Sequence, residues 1–149
     1  MYQSVDLQPL SDESQRDVDA WAADARGLLR LPTGADPSTV VSAIARWIEG
    51  FRADDGLITN DQRLGAAIRF GCLWGGAVVT AYAWLWREHR QDDGMFLAIV
   101  EPRLRYRVYP VPVARAWLDD LEREPNVEAL FGILGTMPPA KDGELVTVG

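Results

Sequence analysis

The chain contains a stretch of seventeen residues without a charge, at positions 70 to 86, with Arg69 and Arg87 at its two ends. A folded domain can hold such a stretch only by packing other elements around it, so the stretch predicts a buried central segment. Its length lies at the lower limit for crossing a membrane, and three glycines interrupt it. We therefore expect it to be buried in protein and not in a membrane.

Length and composition predict one globular domain. The chain has 149 residues, of which 48% are hydrophobic and 25% charged, as in ordinary globular proteins. We expect a single domain over residues 1–139 and a flexible tail over 140–149. The N-terminus lacks the cationic and apolar regions of a secretory signal, which predicts a cytoplasmic protein. The single cysteine, Cys72, allows neither an internal disulfide nor a zinc site built from thiolates.

The net charge restricts the class of partner. Fifteen basic residues against twenty-two acidic ones give a formal charge of −7, and a field of that sign repels nucleic-acid phosphates. Nucleic acid is therefore excluded as an expected partner. A membrane is not expected either, because the apolar stretch is expected to be buried in protein. A protein is the class of partner that we expect.

Three helices are predicted before the end of the apolar stretch. Ser11 followed by two carboxylates is typical of a helix N-terminus, and Asp36 with Pro37 is a cap followed by a proline in the first turn. Thr59 and Gln62 match a capping box, which predicts that the third helix runs into the apolar stretch. Each of the three has apolar residues at helical spacing.

The pattern changes from helix to strand near Ala83. Residues 84 to 89, 95 to 100 and 103 to 109 have strand character, and two short helices follow. The predicted fold is α+β: three helices, a three-stranded antiparallel meander packed on the central helix, then two short C-terminal helices.

Few residues suggest catalysis or a metal site. The sequence contains no nucleophile elbow and no zinc-protease motif, and the glycines of the apolar stretch lack the spacing of a phosphate loop. Close packing of neighbouring elements is the preferred explanation for those glycines. Glu88, His89, Asp92 and Asp93 could hold a divalent cation, but a solvated hairpin turn is the preferred interpretation. We predict no catalytic residues, no metal and no cofactor.

Three arginines form the candidate binding site. Arg103, Arg105 and Arg107 alternate with apolar residues, so a strand would place their guanidinium groups on one face, about 7 Å apart. Guanidinium groups suit carboxylate and phosphate partners. The alternative is that they form ion pairs within the protein or remain in water.

The region from 60 to 135 has a family likeness that rests on three features. They are a glycine-marked helix, a hairpin that contains Trp84 and Trp86, and a strand that ends at Pro110 before a helix. It resembles small bacterial domains of unknown function, and its organisation is similar to that of the immunity proteins paired with toxins. The resemblance implies no catalytic residues.

Three functional hypotheses follow. The first is a non-enzymatic, cytoplasmic protein-binding domain, with a toxin-neutralising immunity protein as one form. The second is an enzyme or small-ligand binder that holds an anionic substrate through Arg103, Arg105 and Arg107. The third is a structural subunit that forms homo-oligomers through exposed tryptophans.

Overall fold

A computed structural model describes residues 7–53, 58–91, 94–103, 105–137 and 146–149. Five helices and five strands lie in these ranges, in the order β1 (Gln8–Pro9), α1 (Asp12–Leu28), α2 (Pro37–Ala53), α3 (Asn60–Tyr82), β2 (Leu85–Gln91), β3 (Gly94–Val100), β4 (Tyr106–Val108), α4 (Pro110–Asp119), α5 (Val127–Leu134) and β5 (Val146–Thr147).

The five strands form one mixed sheet in the order β1-β2-β3-β4-β5. The pairs from β1 to β4 are antiparallel, whereas β4 and β5 are parallel. The pair of Ile99 with Val108 belongs to the helix-packed core, so we call that side the inner face. The neighbouring pair of Val100 with Arg107 lies on the opposite side, the outer face.

The structure corrects the predicted architecture while agreeing with a general α+β class. The three-stranded antiparallel meander is wrong, because the sheet has five strands and one parallel pair. The strand predicted over 103–109 is also too long, since among the described residues of that range the sheet includes Tyr106–Val108 alone. Pro110 and Pro112, which were expected to end that strand, lie in the first turn of α4. Proline suits this position because the first helical N–H groups need no partner within the helix.

The helix caps that the sequence predicts are confirmed. The Ser11 hydroxyl accepts a hydrogen bond from the Ser14 backbone N–H at 3.1 Å, and the Asp36 carboxylate accepts one from Thr39 at 2.8 Å. Thr59 and Gln62 form the reciprocal capping box at the start of α3. These caps fix where the three helices begin, because each satisfies an N–H group that the helix cannot.

Helix α3 is the central element of the core. It packs against α1, α2 and α4, and Phe70, Trp74 and Val78 on it are almost completely buried. Ala83 then adopts a left-handed conformation, φ 58°, which ends the helix and turns the chain into β2. The predicted change from helix to strand near Ala83 is confirmed.

Two glycines allow α4 and Trp86 to approach α3. A Cβ at Gly71 would lie 2.9 Å from the carbonyl oxygen of Pro110, and one at Gly75 would lie 2.6 Å from the Trp86 ring. Real Cβ atoms do not approach other atoms so closely, so both positions require glycine for packing. Close packing, and not a phosphate loop, explains these two residues.

Helix α3 is also the one helix in the described ranges that is long and apolar enough to cross a membrane. That judgement rests on length and composition alone. More than half of its most apolar window, 56%, is buried inside the protein, as in the core helix of a soluble domain.

Candidate functional site

An open cleft of about 450 Å³ lies where the end of α3, the β3–β4 turn and the end of α5 meet. Arg103 and Arg105 line it, so the structure brings two of the three predicted binding residues together. We call it the arginine cleft. Its remaining lining is mainly aromatic or apolar, with one acidic residue: Tyr82, Trp84, Glu101, Pro102, Tyr106, Leu134, Gly135 and Met137.

Glu101 shapes the turn that carries the arginines. Its backbone N–H donates to the carbonyl of Tyr106 at 2.9 Å, which closes the turn between β3 and β4. Its carboxylate accepts the backbone N–H of Arg105 at 3.2 Å and faces the guanidinium of the same residue, with Nε to Oε2 at 3.4 Å. The turn therefore folds around a carboxylate, which is why Arg103 and Arg105 are not part of a strand.

The Glu101–Arg105 pair is largely shielded from water, with side-chain exposures of 15% and 23%. Burial raises the pKa of Glu101, but hydrogen bonds from the Arg105 side chain and from the backbone of Arg105 and Arg103 outweigh it, so the pKa of Glu101 is lowered overall. Glu101 is therefore ionised at neutral pH and neutralises the charge of Arg105.

Arg103 supplies the uncompensated charge of the cleft. It lies in the turn and is exposed. Within the described ranges no acidic side chain forms an ion pair with it. The arrangement can therefore accept one negative charge at Arg103, at a cleft whose aromatic residues Trp84 and Tyr106 are almost completely buried.

Arg107 does not belong to the arginine cleft. It lies on the outer face of β4, where its Nε donates to the Thr147 hydroxyl at 2.7 Å and its guanidinium carbon is 5.7 Å from the centre of the Tyr109 ring. The prediction that the three arginines share one strand face is therefore wrong in geometry. The strand is too short to include Arg103 and Arg105.

The two described residues of the possible metal cluster, Glu88 and His89, lie on opposite faces of the sheet. Glu88 is buried, and its carboxylate accepts hydrogen bonds from the Ser11 N–H at 2.9 Å and the Ser14 hydroxyl at 2.7 Å. His89 follows it in β2 and therefore points to the outer face. Asp92 and Asp93 lie outside the described residues. Glu88 anchors the start of α1 to the sheet, and we assign it a structural role.

His89 is buried beneath aromatic rings on the outer face. Its ring stacks on Phe96 at 5.1 Å and meets Tyr109 edge-on at 5.7 Å. Its Nδ1 is shielded from water and has no hydrogen-bond partner among the residues that the structure describes. Burial, helped by the nearby charge of Arg107, lowers the pKa of His89, so the imidazole is neutral at neutral pH.

Sequence reasoning missed the aromatic wall of the cleft. Tyr82 ends α3, Trp84 lies in the link between α3 and β2, and Tyr106 begins β4, so only the tertiary fold brings Tyr106 beside the other two. For the turn that carries Arg103 and Arg105, the Glu101-Pro102 pair was the available signal, because a carboxylate followed by proline is typical of a turn.

None of the six tryptophans is exposed. Trp74, Trp84 and Trp117 are buried, and the other three are half-buried against the core. Two of the buried indoles donate hydrogen bonds, Trp74 to the Val127 carbonyl and Trp117 to the Asn126 side chain. The tryptophans therefore serve packing, and the homo-oligomer hypothesis loses the feature on which it rested.

Comparisons with protein-family models, with curated proteins and with solved structures found no match to this chain.

Proposed function

We propose that this chain is a non-enzymatic binding domain whose arginine cleft receives a carboxylate-bearing group of a protein partner. The observation that carries the proposal is the position of Arg103. It is exposed at the arginine cleft, while the other arginine of the cleft is neutralised by Glu101.

Charge and shape support a carboxylate as the group bound. The cleft offers the Arg103 guanidinium, which forms no ion pair with the acidic side chains of the described ranges, and a guanidinium forms paired hydrogen bonds with a carboxylate. Aromatic residues and arginine are also enriched at the energetically important centres of protein interfaces. A partner that inserts an acidic residue with neighbouring apolar atoms would match both parts of the cleft.

The reactive groups of the described chain favour binding over catalysis. Glu101 is held by Arg105, and the Tyr82 hydroxyl donates to the Phe131 carbonyl at 2.9 Å. Cys72 is buried away from the cleft, and burial raises its pKa to about 12, so its thiol is not a nucleophile at neutral pH. His89 lies on the outer face of the sheet.

We place this binding domain in the bacterial cytoplasm, with a toxin-neutralising immunity protein as the specific form. The support is the resemblance in organisation and the acidic charge of −7. An immunity protein would have to protect cells that express its toxin. Co-expression with the toxin encoded beside it in the genome tests this form separately from the cleft itself.

A small anionic ligand is the second candidate. The cleft volume of about 450 Å³ favours it, because pockets for small molecules span about 300 to 1,000 Å³. The chemistry at Arg103 would be the same, and only the source of the carboxylate would differ.

Capture from a lysate of the source cells tests the proposal with three proteins: the parent, Arg103→Gln and the matched control Arg123→Gln. Arg123 is 86% exposed and lies away from the arginine cleft. We expect parent and control to recover the same partner and Arg103→Gln to recover about tenfold less, since a hydrogen bond to a charged group contributes about 1.5 to 3 kcal/mol. Each recovered partner is then titrated as a purified protein.

The outcomes separate the two candidates. A purified protein that binds the parent and loses affinity with Arg103→Gln supports the first. A small-molecule adduct seen by native mass spectrometry on the parent, and lost in Arg103→Gln, supports the second. Equal affinity of all three proteins for every ligand recovered would exclude Arg103 and with it both candidates.

A further inference from the structure

A second cleft, of about 200 Å³, opens between α1, the start of α2, α3 and β2. It is separate from the arginine cleft and shares no residue with it. Most of its lining residues are apolar, among them Val18 and Ala22 from α1, Leu73 and Ala77 from α3, and Trp86 from β2, while about half of the surface that faces the cleft is polar. We call it the α1–α3 cleft.

Gly76 is the observation that draws attention to this cleft. Glycine disfavours helix relative to alanine, and Gly71 and Gly75 are explained by close neighbours. Gly76 is different, because a Cβ placed on it would have nothing within 4 Å. The space above it is the α1–α3 cleft, whose lining includes Gly76. No neighbouring atom requires glycine at this position, and the absence of a side chain on Gly76 keeps the cleft wide.

The charged residues of the cleft have different hydrogen-bonding states. Asp19 and Arg26 both line it and are seven residues apart on α1, about 10 Å along the helix axis. The Asp19 carboxylate accepts a hydrogen bond from Gln15 at 2.9 Å. Among the described residues, the Arg26 guanidinium makes a single long contact, 3.4 Å, to the Thr33 carbonyl. Arg26 therefore has donors left for an anion.

We propose that the α1–α3 cleft binds a small molecule that consists of one aromatic ring and a carboxylate. A cavity of about 150 Å³ with aliphatic walls accommodates benzene, so about 200 Å³ fits a ring with a short substituent. The ring lies between Trp86 and Gly76, and the carboxylate meets Arg26. This site is independent of the function proposed for Arg103.

Titration of the isotope-labelled parent protein with phenylacetate, followed by NMR, is the test. Phenylacetamide serves as the uncharged probe of the same shape. We expect phenylacetate to shift the signals of the Gly76 amide and the Trp86 indole N–H, and phenylacetamide to bind about tenfold more weakly, because it lacks the charge-assisted contact.

Two pairs of variants locate the site. Arg26→Gln should weaken the binding of phenylacetate about tenfold, to the level of phenylacetamide. Arg46 is an exposed arginine on α2, and Arg46→Gln should leave the affinity for phenylacetate unchanged. Gly76→Leu should fill the cleft and abolish binding of both probes. Gly50→Leu places the same side chain at an exposed glycine of α2 that also has open space around it, and it should bind like the parent.

The proposal is overturned if phenylacetate leaves Gly76 and Trp86 unperturbed, or if its shifts appear only at Arg103. It is also overturned if the acid and the amide bind the parent equally, or if Arg26→Gln binds like the parent. If Gly76→Leu fails to fold, two comparisons still test the site: phenylacetate against phenylacetamide, and Arg26→Gln against Arg46→Gln. Loss of this site would leave the lysate test of Arg103 unaffected.

Discussion

The ion pair between Glu101 and Arg105 sets the charge of the arginine cleft. Glu101 has a second role, because its carboxylate also accepts the backbone N–H of Arg105 and so holds the turn in shape. One residue thus removes Arg105 from ligand binding and places Arg103 at the rim. The function we propose depends on this difference between the two arginines of the cleft, of which Arg105 is paired with Glu101 and Arg103 is exposed.

Replacing Arg105 by Gln should lower stability without removing the binding charge. We expect a loss of about 1 kcal/mol at pH 7, because Glu101 remains ionised and loses its partner. The lowered pKa of Glu101 means that the pair stabilises the fold above the ordinary carboxyl pKa of 4.5, and that this contribution is lost as the pH falls through the lower native value. Urea unfolding of both proteins from pH 7 to pH 3 should show the difference shrinking. A difference that stays constant with pH would contradict the pairing.

His89 presents the opposite case, a buried group whose charge is disfavoured. Its pKa is lowered by burial and by Arg107, so the unfolded chain takes up a proton at higher pH than the native protein does. Stability is therefore unaffected above the unfolded pKa of about 6.5 and falls below it, by up to about 1.4 kcal/mol for each pH unit until the native pKa is reached.

Replacing His89 by Phe should remove this pH dependence. The substitution eliminates the unpartnered Nδ1 and keeps a ring that can stack on Phe96. We expect equal or greater stability than the parent at pH 7.5, and a smaller loss on moving to pH 5, measured by thermal unfolding. A steeper loss in the variant would show that the imidazole has a partner that protonation strengthens.

At the scale of elements, three of the four glycines of α3 have three different surroundings. Gly71 faces the backbone of α4, Gly75 faces a tryptophan ring, and Gly76 faces the α1–α3 cleft. The same residue type therefore has opposite consequences for stability along one helix, and only the tertiary structure distinguishes them.

Alanine at two of these positions should change stability in opposite directions. Gly71→Ala brings a Cβ within 2.9 Å of the Pro110 carbonyl oxygen, a backbone atom that cannot rotate away, and should cost about 1 to 3 kcal/mol. Gly76→Ala meets open space and should gain up to about 1 kcal/mol from helix propensity. Denaturant midpoints measure both. Destabilisation by Gly76→Ala would mean that its surroundings are closed.

The sequence predicted the elements that carry local signals. The caps at Ser11, Asp36 and Thr59 marked the helix starts, because a capping side chain and the N–H it satisfies are only two or three residues apart. The two-residue strands β1 and β5 carry no period and exist only through pairing with β2 and β4. They could not be predicted from local pattern.

The arginine alternation was misleading for a related reason. Residues 103 to 109 have the period of a strand, but the Glu101 carboxylate binds the backbone of Arg105 and holds a turn there. A side chain accepting backbone hydrogen bonds competes with the sheet for the same N–H groups. The sequence therefore predicted which arginines to consider, and the turn determined that only Arg103 and Arg105 share a site.

At the scale of the whole molecule, the cleft is a small basic site on an acidic protein. The net charge of −7 repels acidic partners at long range, so a carboxylate must be recognised at close range by Arg103. Binding should consequently strengthen as salt is added up to moderate ionic strength, where the long-range repulsion is screened, if the partner is acidic overall.

Photo-crosslinking through methionine tests the central claim most directly, because Met137 lines the cleft and the chain has only three methionines. Photo-methionine is incorporated into the parent, Arg103→Gln, Met137→Leu and Met95→Leu, and the proteins are irradiated in the source-cell lysate. The account predicts an adduct at Met137 in the parent and in Met95→Leu, with the crosslinked group next to a carboxylate, and its loss in Arg103→Gln. An adduct at Met137 that persists in Arg103→Gln, or adducts formed through Met95 alone, would contradict it.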